Sequence, residues 1–148
     1  MAIDYGAKSI GIAISDELQL TVRPLTTIRR ERKKYSQVIE TICSLINENE
    51  VATVVIGMPL NMDGTRGDAA ARVESFASDL QNHISVSIAA IDERLTSYEA
   101  DQTMRELGLN ERERRMRSDA YAAVIILQDY LDGKSRERDR MSPQSQNR

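Results

Sequence analysis

AIDYGAKSIGIAIS, residues 2–15, places two short apolar segments on either side of a turn that contains Gly6. Their residue types predict strands at Ala2–Tyr5 and Ser9–Ser15, and Val22–Ile28 continues the pattern after a second brief turn. Three short strands joined by such turns favour an antiparallel meander. The chain therefore begins as a β-sheet.

After the meander, the apolar periodicity alternates between helical and strand-like. The predicted elements are a helix Tyr35–Glu48, a strand Thr53–Gly57, a helix Asp68–Leu80 burying Ala71, Val73, Phe76 and Leu80, a strand Ile84–Ile91, a helix opened by Thr96, and a last helix from about Ser118. Strands linked through helices run parallel, with right-handed crossovers. The sequence thus predicts an α/β fold: a five-stranded mixed sheet, three antiparallel strands plus two parallel ones, flanked by helices.

Length and composition indicate one globular domain. The chain has 148 residues, 41% of them hydrophobic, which suits a single core. We assign residues 1–132 to this domain and expect a disordered polar tail at 133–148, where no apolar period continues. No apolar segment approaches the roughly 20 residues that a membrane span needs, and a lone Cys43 cannot form an internal disulfide. A cytoplasmic protein without membrane contact is expected.

Three carboxylates that are distant in sequence are expected to meet at one edge of the sheet. Asp4 ends the first apolar segment, Glu93 follows a predicted parallel strand, and Asp119 opens the last helix. Parallel strands present their carboxyl ends at a shared edge, where open α/β sheets bind ligands. Apolar residues follow Asp119 at helical spacing, namely Ala122, Ala123, Ile126 and Tyr130. Asp119 would then lie on the buried face, although a helix-start Asp stabilised by the helix dipole is the simpler alternative.

An acidic trio favours hard divalent cations over other chemistries. His83 is the single histidine, so the composition disfavours a zinc site and acyl-transfer catalysis by a nucleophile and histidine base. Carboxylates with water suit Mg²⁺ or Mn²⁺. Two such ions roughly 4 Å apart can activate an attacking water and stabilise the leaving oxygen of a phosphodiester. The expected reaction is phosphoryl transfer with two divalent ions.

Basic residues occur in two clusters although the formal net charge is −3. The clusters are Arg29, Arg30, Arg32, Lys33 and Lys34, and then Arg112, Arg114, Arg115 and Arg117. Such runs are usually solvated faces, and the second cluster is the more suggestive because it precedes Asp119. If it contacts phosphates, it would contribute a salt-dependent part of nucleic-acid affinity.

Three further residues are candidate substrate contacts. Lys8, in the first turn, could contact a phosphate, and Asn61 is the preferred contact in the loop after a buried strand. Arg94 either neutralises a phosphate oxygen or forms an ion pair with Asp92. On a strand Asp92 would alternate away from Glu93, which favours a structural role for Asp92.

Four blocks of the sequence resemble the YqgF/RuvX family. They are DYGAKSIGIAISD at 4–16, GMPLNMDGT at 57–65, DERLT at 92–96 and SDAYAA at 118–123, and the resemblance runs from residue 2 to about 132. It implies an RNase H-like fold and a metal-dependent nuclease acting on the 5′ end of the 16S ribosomal RNA precursor, on Holliday junctions, or on both. It also implies that Asp4, Glu93 and Asp119 are the catalytic acids. Two features depart from the family: Ser9 stands where Arg is common, and few residues precede Asp4.

Two other functions compete with the nuclease. A non-catalytic ribosome-maturation factor could retain the fold and bind nucleic acid without cutting it. The first hairpin also resembles the sugar kinase and actin superfamily, but 148 residues leave no room for the second lobe that encloses ATP. The choice between RNA and DNA, and between monomer and homodimer, stays open.

Overall fold

The structure is a computed structural model that describes residues 1–92, 105, 106, 108 and 110–142, with the backbone alone for 112–119. These residues form strands β1 Ala2–Tyr5, β2 Ser9–Ser15, β3 Val22–Arg29, β4 Thr53–Met58 and β5 Ser87–Asp92, a 3₁₀ turn Arg30–Arg32, and helices α1 Tyr35–Glu48, α2 Asp68–Gln81 and α3 Glu111–Met141. Within the described ranges, no helix is both long and apolar enough to cross a membrane.

The strands form one sheet in the order β3-β2-β1-β4-β5. β1 pairs antiparallel with β2, which pairs antiparallel with β3. On its other side β1 pairs parallel with β4, and β4 pairs parallel with β5. The predicted mixed sheet is confirmed, with β1 at its centre. The carboxyl ends of β1, β4 and β5 therefore share one edge of the sheet.

Helices α1 and α2 cover one face of the sheet with large side chains. The buried residues of α1 are Val38, Ile39, Ile42 and Ile46, and those of α2 are Ala70, Val73, Phe76 and Leu80. On α2, Ala70 is buried and Ala71 is exposed, which corrects the predicted inward residue. Adjacent helix positions differ by about 100° in direction, so burial of Ala70 turns Ala71 toward the edge of the buried face, where it is exposed.

Helix α3 covers the opposite face through a smaller cluster. Ala2, Ala13 and Val55 of the sheet pack with Ala123, Ile126 and Leu127 of the helix. Tyr130 packs partly buried against this cluster, as its spacing predicted. Alanine on both sides of the contact allows the helix backbone to approach the sheet closely.

The largest differences from the predicted boundaries occur at β5 and α3, while the ends of β3, β4 and α2 differ by one residue. β5 begins at Ser87 and not at Ile84, because the Gln81 side chain donates hydrogen bonds to the carbonyl oxygens of Ile84 and Val86 before the ladder starts. α3 begins at Glu111 and runs through Gly133 to Met141. Residues 133–141 are thus helical where a disordered tail was expected. Lys, Arg and Glu are strong helix formers, and they extend the helix beyond its last apolar contact. The helix predicted from Thr96 lies outside the described residues.

Candidate active site

Asp4 lies near the end of the central strand, at the edge where the parallel strands terminate. Its Cα pairs with that of Gly11 on β2, and its side chain is half-buried. Alternate residues of a strand face opposite sides. Ala2 packs in the α3 cluster, whereas Ile3 packs in the core beneath α1 and α2. Asp4 therefore lies on the face of the sheet that α3 covers.

The backbone of α3 passes over that same face. Position 119 falls within the helix, about one turn before the fully buried Ala123, which packs in one cluster with Ala2 and Val55. The helix thus carries position 119 along the side of the sheet that holds Asp4. The Asp119 side chain lies outside the described atoms, as do those of the predicted cluster Arg112–Arg117. The convergence of the two carboxylates stays a prediction.

β5 brings the chain to the shared edge and ends at Asp92. Asp92 pairs with Met58 at the end of β4. Ile91 packs on the face of the sheet that α3 covers, and Ile88 packs on the face that α1 and α2 cover. Because strand residues alternate, Asp92 lies on the same face as Ile88, away from α3. This agrees with the structural role expected for Asp92. Glu93 and Arg94 lie outside the described residues, and their assigned roles stay predictions.

A metal site cannot be assembled from described side chains alone. Over 1–92 and the described parts of 105–142, no group of three His, Cys, Asp or Glu residues could hold an ion. Two of the three predicted ligands, Glu93 and Asp119, lack described side chains. His83 is exposed, and its Nδ1 lies 2.8 Å from the carbonyl oxygen of Asp79.

The turn after Asp4 is tight, and Gly6 makes it possible. The Gly6 amide donates to the carbonyl oxygen of Ser9 at 3.0 Å. A Cβ added at Gly6 would lie 2.6 Å from that same oxygen, well inside van der Waals contact. Lys8 is exposed in this turn, in a position that supports its predicted role as a phosphate contact. The role itself stays a prediction.

Arg30 is the residue near this edge that sequence reasoning missed. Its Nη1 donates to the carbonyl oxygens of Gly6 at 2.8 Å and Ala7 at 3.3 Å. Its guanidinium carbon lies 4.4 Å from the centre of the Tyr5 ring, which stacks on Phe76 at 4.2 Å. The available signal was the basic cluster at the end of β3, because a meander brings that end beside the β1–β2 turn.

The loop after β4 is held by its own hydrogen bonds. The Asn61 side chain donates to Thr65 Oγ1 at 2.9 Å, and Asp63 Oδ1 accepts from the Thr65 amide at 2.9 Å. Gly64 has a φ of 84°, a left-handed conformation that favours glycine in a turn. Arg66 forms an ion pair with Glu74 of α2. Asn61 is thus exposed on an internally hydrogen-bonded loop, and its contact with substrate stays a prediction.

The architecture and the sequence both match those of known proteins. The structure superposes on that of T. thermophilus RuvC in complex with a Holliday junction substrate, with a TM-score of 0.59 and 16% identity over 90% of this chain and 93% of that one. The two share a fold, which is the predicted RNase H-like one. The family model "RuvX: Holliday junction resolvase" matches residues 1–133. The chain belongs to the RuvX family, and this membership confirms the predicted enzyme class, a nuclease.

Curated relatives agree with this assignment. A protein of Anaeromyxobacter sp. (strain Fw109-5) is 40% identical over 134 residues, covering 90% of this chain and 96% of that relative. A protein of Halalkalibacterium halodurans is 42% identical over 132 residues, covering 89% and 94%. Both carry the name "Putative pre-16S rRNA nuclease". The resemblance found in the four sequence blocks is confirmed.

Proposed function

We propose that this protein is a divalent-metal-dependent endonuclease whose catalytic acids are Asp4, Glu93 and Asp119. The observation that carries the proposal is the placement of Asp4. It is a half-buried carboxylate at the end of the central strand, on the face covered by the helix that contains position 119. β5 delivers the chain to the same edge one residue before Glu93. Ligands bind at such edges in open α/β sheets.

The donor chemistry of these residues fits Mg²⁺ or Mn²⁺. All three proposed ligands are carboxylates, the hard oxygen donors that these ions prefer. Asp4, Glu93 and Asp119 would hold the ions through their carboxylate oxygens. Bound ions would supply Lewis acidity, which favours deprotonation of the attacking water and offsets charge at the leaving oxygen.

The protein groups orient the substrate around these acids. Asp4 is positioned by its pairing with Gly11 of β2, while Ala2 and Ile3 of the same strand pair with β4. Lys8 and Arg94 would neutralise phosphate oxygens, and Asn61 would contact the substrate from the β4 loop. In-line attack of water on phosphorus breaks the bond to the 3′ oxygen and leaves a 3′-hydroxyl and a 5′-phosphate. No covalent intermediate with the protein is required.

The substrate we propose is the 5′ region of the 16S ribosomal RNA precursor, a Holliday junction, or both. The relatives' name supports the first, and the family's description supports the second. The T. thermophilus RuvC complex shows that this fold can engage branched DNA. Nucleic acid is thus the proposed partner, for a monomer or a homodimer. The cytoplasmic location expected from the sequence stays part of this proposal.

The experiment incubates the pure protein with Mg²⁺ or Mn²⁺ and a panel of single-stranded RNA, ribosomal precursor RNA and four-way-junction DNA. Asp4→Asn should abolish cleavage, because it removes an anionic ligand while keeping the side-chain shape, and Asp119→Asn should do the same. Asp92→Asn is the matched control at a neighbouring strand end, on the other face, and should keep cleavage within a few fold. Full activity of Asp4→Asn would refute the assignment. Binding without cutting by the unmodified protein would favour the non-catalytic maturation factor.

A further inference from the structure

Three basic side chains surround a pocket beside the β1–β2 turn. The pocket has a volume of about 270 Å³ and is lined by Ala7, Lys8, Arg30, Glu31, Lys33, Tyr35 and Val38. We call Lys8, Arg30 and Lys33 the basic cradle. Lys8 and Lys33 are exposed and Arg30 is half-buried. Glu31 is the acidic residue of the lining, so the pocket keeps a positive balance.

Arg30 is held in place before any ligand arrives. The carbonyl oxygens of Gly6 and Ala7 accept from its guanidinium, and the Tyr5 ring lies beneath it. Its own backbone amide donates to the carbonyl oxygen of Lys8 at 2.9 Å, which ties the 3₁₀ turn to the β1–β2 turn. A charge fixed in this way loses little conformational entropy when it binds an anion.

The basic cradle lies near the same edge of the sheet as Asp4 but on the opposite face. Gly6, whose carbonyl Arg30 contacts, follows Asp4 by two residues, which span at most about 7 Å. Tyr5 packs against the large core that includes Phe76, so Arg30 sits on the face covered by α1 and α2. Asp4 faces α3. A strand bound at Asp4 can therefore reach the cradle by crossing the turn.

We propose that the basic cradle binds the phosphodiester backbone next to the scissile phosphate, so that the nucleic acid crosses the sheet edge over the β1–β2 turn. This inference rests on the proposed nuclease function and extends it with Arg30 and Lys33. Lys and Arg contacts to phosphate fix the register of a nucleic acid without reading its bases. RNA and DNA share that chemistry, and the test below includes both.

The test measures binding in the Asp4→Asn background, where cleavage does not interfere. The cradle variant carries Lys8→Gln, Arg30→Gln and Lys33→Gln, and the matched control carries Arg136→Gln, Arg138→Gln and Arg140→Gln near the end of α3. Fluorescence anisotropy with labelled single-stranded RNA and with four-way-junction DNA gives Kd across a series of salt concentrations. Both variants remove the same charge, so a difference between them reports position.

The cradle variant should bind roughly tenfold more weakly at low salt. The slope of the logarithm of the binding constant against the logarithm of the salt concentration should also be less steep. The change should be about 0.7 for each phosphate that is no longer neutralised on a single strand, and about 0.9 on duplex DNA. Weakening in either the RNA or the DNA arm supports the cradle and identifies the nucleic acid it serves. Unchanged Kd and slope in both arms would overturn it. An equal loss in the control would also overturn it, because net charge alone would then explain binding.

A separate variant guards against misfolding, since Arg30 also braces the turn. Lys8→Gln with Lys33→Gln changes two exposed residues, and circular dichroism should show an unaltered fold with a smaller loss of affinity. No loss of affinity in this folded variant would contradict the proposal. The two proposals fail separately: an unmodified protein that never cleaves rejects the nuclease, whereas cradle-dependent binding by Asp4→Asn stands without cleavage.

Discussion

The two faces of the sheet are built from residues of different size. Beneath α1 and α2, fully buried Ile, Leu and Phe side chains form the larger core, with Phe76 stacked on Tyr5. Beneath α3, the contact is made by alanines of the sheet and of the helix together with Val55, Ile126 and Leu127. The first face buries more apolar surface for each residue, and the second brings two backbones closer.

If the proposed catalytic acids are correct, this difference separates the residues that stabilise the fold from those that position the site. Tyr5 and Asp4 are neighbours on β1, yet one side chain packs in the large core and the other lies on the α3 face. Large side chains hold the strand in place, and small ones allow the α3 backbone to approach the face of the sheet that holds Asp4. Substitutions on the first face should therefore act mainly on unfolding, and those on the second should act on cleavage beyond their effect on stability.

Phe76→Ala should produce the largest loss of stability. Phe76 is 1% exposed and its ring stacks on Tyr5, so truncation should lower the free energy of unfolding by about 3–5 kcal/mol through lost transfer energy and a cavity. Urea unfolding followed by circular dichroism measures this. Phe76→Leu, which keeps most of the volume, is the control and should cost less. A loss under about 1 kcal/mol for the alanine variant, well below the usual range, would show that the large core does not carry the stability assigned to it.

Ala123→Leu tests the small-residue face. Ala123 is fully buried, and added methyl groups there should cost about 1–3 kcal/mol by overpacking. Because α3 must then move away from β1, cleavage should fall about tenfold or more in protein that is still folded. Gln128→Leu, at an exposed position of the same helix, should leave both properties nearly unchanged. Normal cleavage by a destabilised Ala123→Leu would remove the proposed link between this contact and the site.

Periodicity was sufficient to predict much of this architecture. The helices were readable because a helix turns one apolar face inward, and the strands were readable as short apolar segments bounded by turns. Asp4 was identifiable as a polar residue at the end of an apolar strand. The parallel orientation of β4 and β5 followed from their connections, since helical crossovers require parallel partners.

Other features depended on contacts that no local pattern encodes. Ala70 and Ala71 are identical in type, so the buried one is chosen by the position of the whole helix. Arg30 is held by hydrogen bonds to carbonyl oxygens of the β1–β2 turn, which is distant from it in sequence. The length of α3 was missed because apolar periodicity stops where the core ends, while helix propensity continues along charged residues.

Tyr35→Phe probes the rim of the large-residue face. The Tyr35 hydroxyl donates to Asp79 Oδ2 at 2.5 Å and links α1 to α2, while burial, followed by Asp79 itself, raises the pKa of Tyr35. Removing the hydroxyl should cost about 0.5–1 kcal/mol, at the low end for a hydrogen bond because Tyr35 is 45% exposed. A double-mutant cycle with Asp79→Ala measures the coupling between the two side chains. Strictly additive losses would show that the link contributes nothing.

Asp129→Asn on α3 should give the smallest effect, a gain in stability. Desolvation, and then the charge of Asp132, raise the pKa of Asp129, with Arg136 opposing them. Because the folded-state pKa lies above the unfolded value of about 3.9, the folded protein is penalised as the pH rises through that raised pKa. At pH 7 the free energy of unfolding of the variant should therefore be higher by about 0.2–0.5 kcal/mol, the size expected for an exposed like-charge pair. The variant should accordingly unfold at a slightly higher temperature.

The same Asp129→Asn substitution should have no effect on stability below about pH 3.9, where the carboxyl is protonated in both states. Thermal unfolding at pH 3 and pH 7, with Asp139→Asn further along α3 as the control, separates charge repulsion from a general gain in helix propensity. An equal gain at both pH values would assign the effect to propensity. A gain at pH 7 alone would show that α3 tolerates a small electrostatic penalty on its exposed side, because the packing of Ala123 and Ile126 already fixes the helix on the sheet.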